Sequence, residues 1–134
     1  MKREDFSEWY PITNSDKIYD IEGIENINGL DIWLVPDGLK EDLNSTHKVL
    51  IHFDSYQSYT SIEESYSEGF WINSPEKAWT FYKSNTSHYI EVLRNSSVIF
   101  KESIKDAVHY VIVGTNSIFH IISEQEPAIS LRQT

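Results

Sequence analysis

The stretch from Val108 to Ser123 constrains the fold more than any other part of the chain. Val108 to Val113 and Ile118 to Ser123 are dense in β-branched and aromatic residues, and they flank Gly114-Thr115-Asn116-Ser117, a run of turn formers. This is the pattern of an antiparallel hairpin. Both faces of the hairpin are apolar, so both need cover, and the pair is expected inside a sheet with a layer on each side. If Val113 and Ile118 close the loop, opposed residues place Val111 across from His120 and His109 across from Ile122. The two histidines then share a face as diagonal neighbours, with Cβ atoms ~7 Å apart or closer.

The rest of the chain supplies partners for that hairpin. Tyr19 to Glu22 and Leu30 to Val35 read as strands, the first ending near Gly23 and the second stopped by Pro36-Asp37-Gly38, with Asn28-Gly29 favouring a tight turn between them. Residues 48–62 form the longest extended candidate, with Val49, Ile51 and Phe53 on one side and Leu50, His52 and Asp54 on the other. The candidate begins apolar and becomes polar, as a strand does when it bends or reaches an exposed edge. After Pro127 only an edge-like tail, Ala128 to Leu131, is expected.

Ser74 as N-cap, Pro75 at the first helical position and Glu76 in the first turn specify a helix start. Ala78, Trp79, Tyr82, Tyr89, Ile90 and Leu93 then fit one helical face, which predicts a helix from Pro75 to about Arg94 with Trp79 as its core anchor. Ser84-Asn85-Thr86-Ser87 interrupts it with weak helix formers and leaves open a break there. Strands, then a helix, then strands favour an α+β fold over a doubly wound parallel sheet. The expectation is a mostly antiparallel sheet of about 5–7 strands with one main helix (about 75–94) packed on one face.

At 134 residues, without internal repeats or low-complexity linkers, the chain is expected to form a single globular domain over 1–134. It has no cysteine, which removes disulfides, thiolate metal sites and thiol nucleophiles. Its five glycines make no phosphate-binding loop, and no Gly-x-Ser-x-Gly elbow or zinc-protease histidine pair is present. Catalytic residues, cofactor and metal are therefore all read as none. No apolar run approaches the ~20 residues needed to span a bilayer, and no signal-peptide pattern opens the chain, so a cytoplasmic protein without a membrane partner is expected. Three Asn-x-Ser/Thr triplets, at Asn44, Asn85 and Asn95, carry little weight in a chain with no export signal.

A net charge of -10 argues against nucleic acid, whose binding draws on Lys and Arg placed against phosphates. Residues 1–67 hold 5 Lys and Arg against 14 Asp and Glu, a net of -9, whereas 68–134 hold 6 against 7, a net of -1. The acidic first half also carries Tyr56, Tyr59 and Tyr66 among hydroxyl and carboxylate residues, a mixture closer to an interface than to an active site. The reading is a non-catalytic intracellular protein-binding domain whose partner has a basic surface. Its expected contact residues are Asp54, Tyr56, Tyr59, Glu63, Glu64 and Tyr66. In size, charge and Ser/Tyr-rich strands the chain resembles small acidic bacterial immunity proteins, and the resemblance implies an inhibitor of a basic toxin. No family motif aligns residue by residue, so no site is carried over. The alternative is a small enzyme or ligand-binding domain with a site at the His109/His120 hairpin face. Against that stands the ordinary reading of two histidines satisfied by hydrogen bonds on a half-buried face, since a metal site needs a third ligand.

Overall fold

The computed structural model describes residues 6–12, 18–36, 47–63, 79–114 and 117–133. In chain order these form β1 (Ser7–Glu8), β2 (Tyr19–Glu25), β3 (Leu30–Pro36), β4 (His47–Phe53), β5 (Ser58–Glu63), β6 (Phe81–Ser84), α1 (His88–Ser96), α2 (Val98–Ser103), β7 (Val108–Val113), β8 (Ser117–Ser123) and β9 (Ala128–Gln133). The strands make two antiparallel sheets, one ordered β1-β6-β7-β8-β5 and the other β2-β3-β4-β9. The mostly antiparallel α+β character is as expected, but the strand count and the single helix are not. Nine strands lie in two sheets among the described residues, where about five to seven were expected, and two short helices replace one long one.

The helix expected over residues 75–94 is the main correction. Its proposed start at Ser74-Pro75 lies outside the described residues. Of the residues it should have contained, Thr80 lies in a bend and Phe81–Ser84 is a strand that pairs with β7 from Phe81↔Ile112 to Ser84↔His109. Trp, Thr, Phe and Tyr at 79–82 are strand formers, and the neighbouring β7 offers them a hydrogen-bonding edge that the local helical pattern does not register. The interrupting residues are the true helix start. Ser87 is the N-cap of α1, with an extended backbone and its Oγ accepting from the Ile90 N–H. Ser97 then ends one helix and begins the next. Its N–H donates to the Leu93 carbonyl while its Oγ accepts from the Phe100 N–H.

The two sheets pack face to face around one core. Leu30, Ile32, Leu34, Val49, Ile51 and Phe53 come from the second sheet and Phe81, Tyr110, Ile112, Phe119 and Ile121 from the first, all buried. β3 shows the alternation required of a strand with one core face, every second residue from Leu30 to Pro36 being buried. An aromatic contact bridges the layers, Phe53 meeting Tyr110 edge-on at 5.3 Å, while Trp9, on the first sheet's side, lies 5.0 Å from the same ring. Trp79 is buried as expected, but beside β6 and not on a helix. It stacks against Tyr10 at 4.7 Å and donates its indole N–H to the Trp9 carbonyl at 2.8 Å.

The β7–β8 hairpin is central in its sheet and buried on both faces, in the expected register of Val111↔His120 and His109↔Ile122. Its second face is covered by the helical pair, where Ile90 and Phe100 pack with Ala107 and Ile122. The long extended candidate over 48–62 is two strands in different sheets, with the bend at residues 54–57, and among the described residues β5 is an edge strand. β2 continues past Gly23 to Glu25 through a register shift between Ile21 and Gly23. Among the described residues no helix is long and apolar enough to cross a membrane.

Candidate functional site

Three groups of polar side chains stand out, and the deepest is the histidine pair. His109 and His120 are 0% and 1% exposed, with His109 Nε2 2.8 Å from His120 Nδ1 and His109 Nδ1 2.8 Å from Ser87 Oγ. Burial pushes both imidazoles down, His109 to about 3, with His120 adding to its shift, and His120 to about 4. Two neutral rings satisfy the chain with one proton each. Either Ser87 donates to His109 and His109 to His120, or both donors reverse. The nitrogen–nitrogen contact requires an acceptor on one side, so the two rings cannot both be charged while it holds. Around them stand Phe6, edge-on to His109 at 5.0 Å, and Tyr89, whose ring is 5.5 Å away and whose hydroxyl meets Ser58 Oγ and Thr60 Oγ1 at 2.9 and 3.0 Å. The network fastens the helices to the sheet. Among the described residues no group of three histidine, aspartate or glutamate side chains is placed to hold a metal ion.

The second group is at the surface, where β4 turns toward β5. The Asp54 side chain is 82% exposed. Tyr56 is half-buried, Tyr59 is 37% exposed, and their rings meet edge-on at 5.6 Å. This corner leans on the turn between β2 and β3, where the Asn26 amide donates to the Tyr56 hydroxyl at 2.6 Å and Ile27 stands 73% exposed at the tip. Gly29 makes the close approach possible. Its φ of +90° is disfavoured for other residues, and a Cβ there would lie 2.4 Å from the Phe53 carbonyl oxygen. Glu63 is exposed at the far end of β5, on the face it shares with Tyr59 and about 13 Å along the strand at ~3.3 Å per residue. Of the expected contact residues, Asp54, Tyr56 and Tyr59 thus share one corner and Glu63 does not, while Glu64 and Tyr66 lie outside the described residues.

The third group was missed by sequence reasoning. His52 lies on the outer face of the second sheet between two carboxylates, with Nδ1 bonded to Asp31 Oδ1 across the β3–β4 ladder and Nε2 2.7 Å from Asp54 Oδ1. The hydrogen bond to Asp31 and then that to Asp54 raise its pKa above 6.5. Strand alternation already put His52 and Asp54 on one side. The contribution of Asp31 depended on a pairing that the sequence does not specify.

No protein-family model matches this chain, and comparison with curated proteins and with solved structures finds no match.

Proposed function

We propose that this chain is a non-catalytic protein-binding domain that receives a basic partner protein at the corner formed by the β2–β3 turn and residues 52–59. One observation carries the reading: an exposed carboxylate, two tyrosine rings and an exposed isoleucine converge there in a chain of net charge -10. Tyrosine rings ringed by polar groups are a common anchor of protein interfaces, and carboxylates beside them steer a cationic partner. Catalysis is disfavoured by the state of the histidines. His109 and His120 are sealed from any substrate, and both ring nitrogens of His52 are engaged by carboxylates. Within this reading the partner is a basic toxin and the chain its inhibitor inside a bacterial cell, with Glu64 and Tyr66 extending the contact.

The test is capture of the partner from the native host, followed by association and dissociation rates at two salt concentrations. Neutralising Asp54 and Glu63 together should slow association and flatten its salt dependence, because steering charges act within a Debye length of ~8 Å at physiological ionic strength. Tyr59→Ala should instead speed dissociation, by roughly tenfold for an anchor worth 1–2 kcal/mol. A partner that binds equally well to all these variants refutes the corner as its site.

A further inference from the structure

His52 holds a geometry that only its charged form can satisfy. Each ring nitrogen faces a carboxylate oxygen, Asp31 on one side and Asp54 on the other. An ionised carboxylate only accepts hydrogen bonds, so both nitrogens must donate, and an imidazole with two N–H groups is an imidazolium. When the proton leaves to solvent, one nitrogen is left with a lone pair directed at a carboxylate oxygen, and that contact becomes repulsive. The two carboxylates differ in how firmly they are held. Asp31 is the directly opposed residue of β3, fixed by the strand ladder and half-buried, whereas Asp54 follows the end of β4 and its side chain is 82% exposed.

We propose that His52 is a proton-operated latch on the β4–β5 corner: the charged ring holds and neutralises Asp54, and its deprotonation releases that carboxylate to the surface. The proposal deepens the binding function given above by adding regulation of the same corner. Asp54 lies two residues before Tyr56, and the backbone carbonyls of Phe53 and Asp54 and the His52 ring all close on Gly29 in the turn that carries Asn26 and Ile27. The latch thus joins the elements that make up the proposed contact surface.

Among the described residues the two charges bonded to His52, Asp31 and Asp54, favour its protonated form, and the nearest cations stand farther along the sheet. β3 contributes Asp31, and Glu25 of β2 lies opposite Asp31 on the far side of that strand. From β9 the residue opposite His52 is Ala128, which is uncharged, and the turn presents Gly29. Lys48, four residues earlier on β4, is tied to Glu22 at 2.7 Å, with Arg132 as its β9 neighbour. Protonated, the Asp31–His52–Asp54 group carries one net negative charge, and deprotonated it carries two. The added charge is mobile and exposed. Toward a partner cation ~8 Å away in water at low ionic strength, one further unit charge changes the association rate on the order of twofold, and screening at physiological salt reduces this.

The test is an NMR titration of the free full-length chain from pH 6 to 9, following the His52 ring nitrogens, the Asp31 and Asp54 carboxyl carbons and the amides of residues 54–57. The expected result is a His52 midpoint above 6.5, with the Asp54 carboxyl carbon inflecting at the same pH and the 54–57 amides losing order beyond it. Asp54→Asn should lower the midpoint, and His52→Gln should abolish the inflection at Asp54 while leaving the amide spectrum of the sandwich core unchanged. An Asp54 carbon indifferent to the His52 titration, a midpoint at or below 6.5, or an inflection confined to Asp31 overturns the latch. Decalysine serves as the basic probe in a second measurement at low ionic strength, its association expected to rise about twofold across the midpoint in wild type and to show no step in His52→Gln. Failure of decalysine to bind, with the coupled titration intact, counts against the basic-partner reading and leaves the latch supported.

Discussion

Acidification from pH 7 to 5 should destabilise this protein through His109 and His120, and the size of the effect follows from their burial. In the unfolded chain each histidine titrates near 6.5, and in the folded protein near 3 and 4. Between those limits the unfolded state binds more protons, so stability rises with pH; it is fully present above 6.5 and is lost as pH falls below it. At pH 5, about 1.5 pH units below the unfolded value, keeping each ring neutral costs about 2 kcal/mol at 1.36 kcal/mol per unit, or about 4 kcal/mol for both. That figure depends on the unfolded value as long as the folded pKa stays below 5. The geometry sets a floor as well, since the nitrogen–nitrogen contact keeps at least one ring neutral and so guarantees about 2 kcal/mol. Against a typical total of 5–15 kcal/mol the loss is large. Urea unfolding followed by tryptophan fluorescence at half-unit steps from pH 5 to 7 measures it, and His120→Gln should remove about half of the slope. His52 has the opposite sign and another window: its pKa is raised, so its contribution is complete below 6.5 and lost as pH rises through the folded value. A stability change under about 1 kcal/mol between pH 7 and 5 would refute the buried-neutral assignment, since even one neutral ring predicts twice that.

Two substitutions test the packing. Trp79→Ala should cost ~3–5 kcal/mol by urea denaturation, as expected for a buried aromatic that also satisfies the Trp9 carbonyl, whereas a cost below 1 kcal/mol would mean that the indole is peripheral. Gly29→Ala should cost at least ~1–2 kcal/mol, because the new Cβ meets a backbone oxygen at 2.4 Å in a left-handed conformation; it should also disturb the His52 titration, since the same Cβ lies 3.1 Å from the ring. An unchanged urea midpoint and an unchanged His52 midpoint would show that the turn yields easily.

What was legible in the sequence divides along connection length. The β7–β8 hairpin was read to the residue because a short loop between two apolar runs admits few registers, and the diagonal placement of His109 and His120 came with it. The same alternation placed His52 and Asp54 on one side, whereas the polar second half of residues 48–62 was read only as a bend or an exposed edge of one extended candidate, and the structure has two strands in different sheets. The helix error came from a segment in which two periodicities coexist. Trp79, Tyr82, Tyr89 and Ile90 fit a helical stripe, yet Trp79 to Tyr82 are also an aromatic and β-branched run, and tertiary pairing with β7 decided between them. Ser87, taken as an interruption, carried the correct signal, because a serine that weakens a helix interior is what caps its first turn.

The Asp31–His52–Asp54 group shows why a site can stay hidden when every residue in it is visible. Asp31 and His52 are opposed only because β3 and β4 pair as Leu30↔Phe53 through Leu34↔Val49, and the two strands are joined by ten residues, 37–46. A connection of that length does not specify a register as a two- to four-residue turn does. Shifting the pairing by two residues would keep all apolar side chains on the core face and would set His52 opposite Trp33 or Gly29 instead of Asp31. The hydrophobic pattern cannot distinguish these alternatives, since side-chain direction repeats every second residue. Other features of the fold remove the degeneracy. Gly29, with its positive φ, lets the turn close under Phe53 and His52, where any side chain would collide. Phe53 meanwhile reaches Tyr110 across the layers, which anchors β4 lengthwise against the other sheet. The charged triad is thus a product of packing at a distance: a glycine and an aromatic contact, neither of which takes part in its chemistry, set the register that brings two carboxylates to one imidazole.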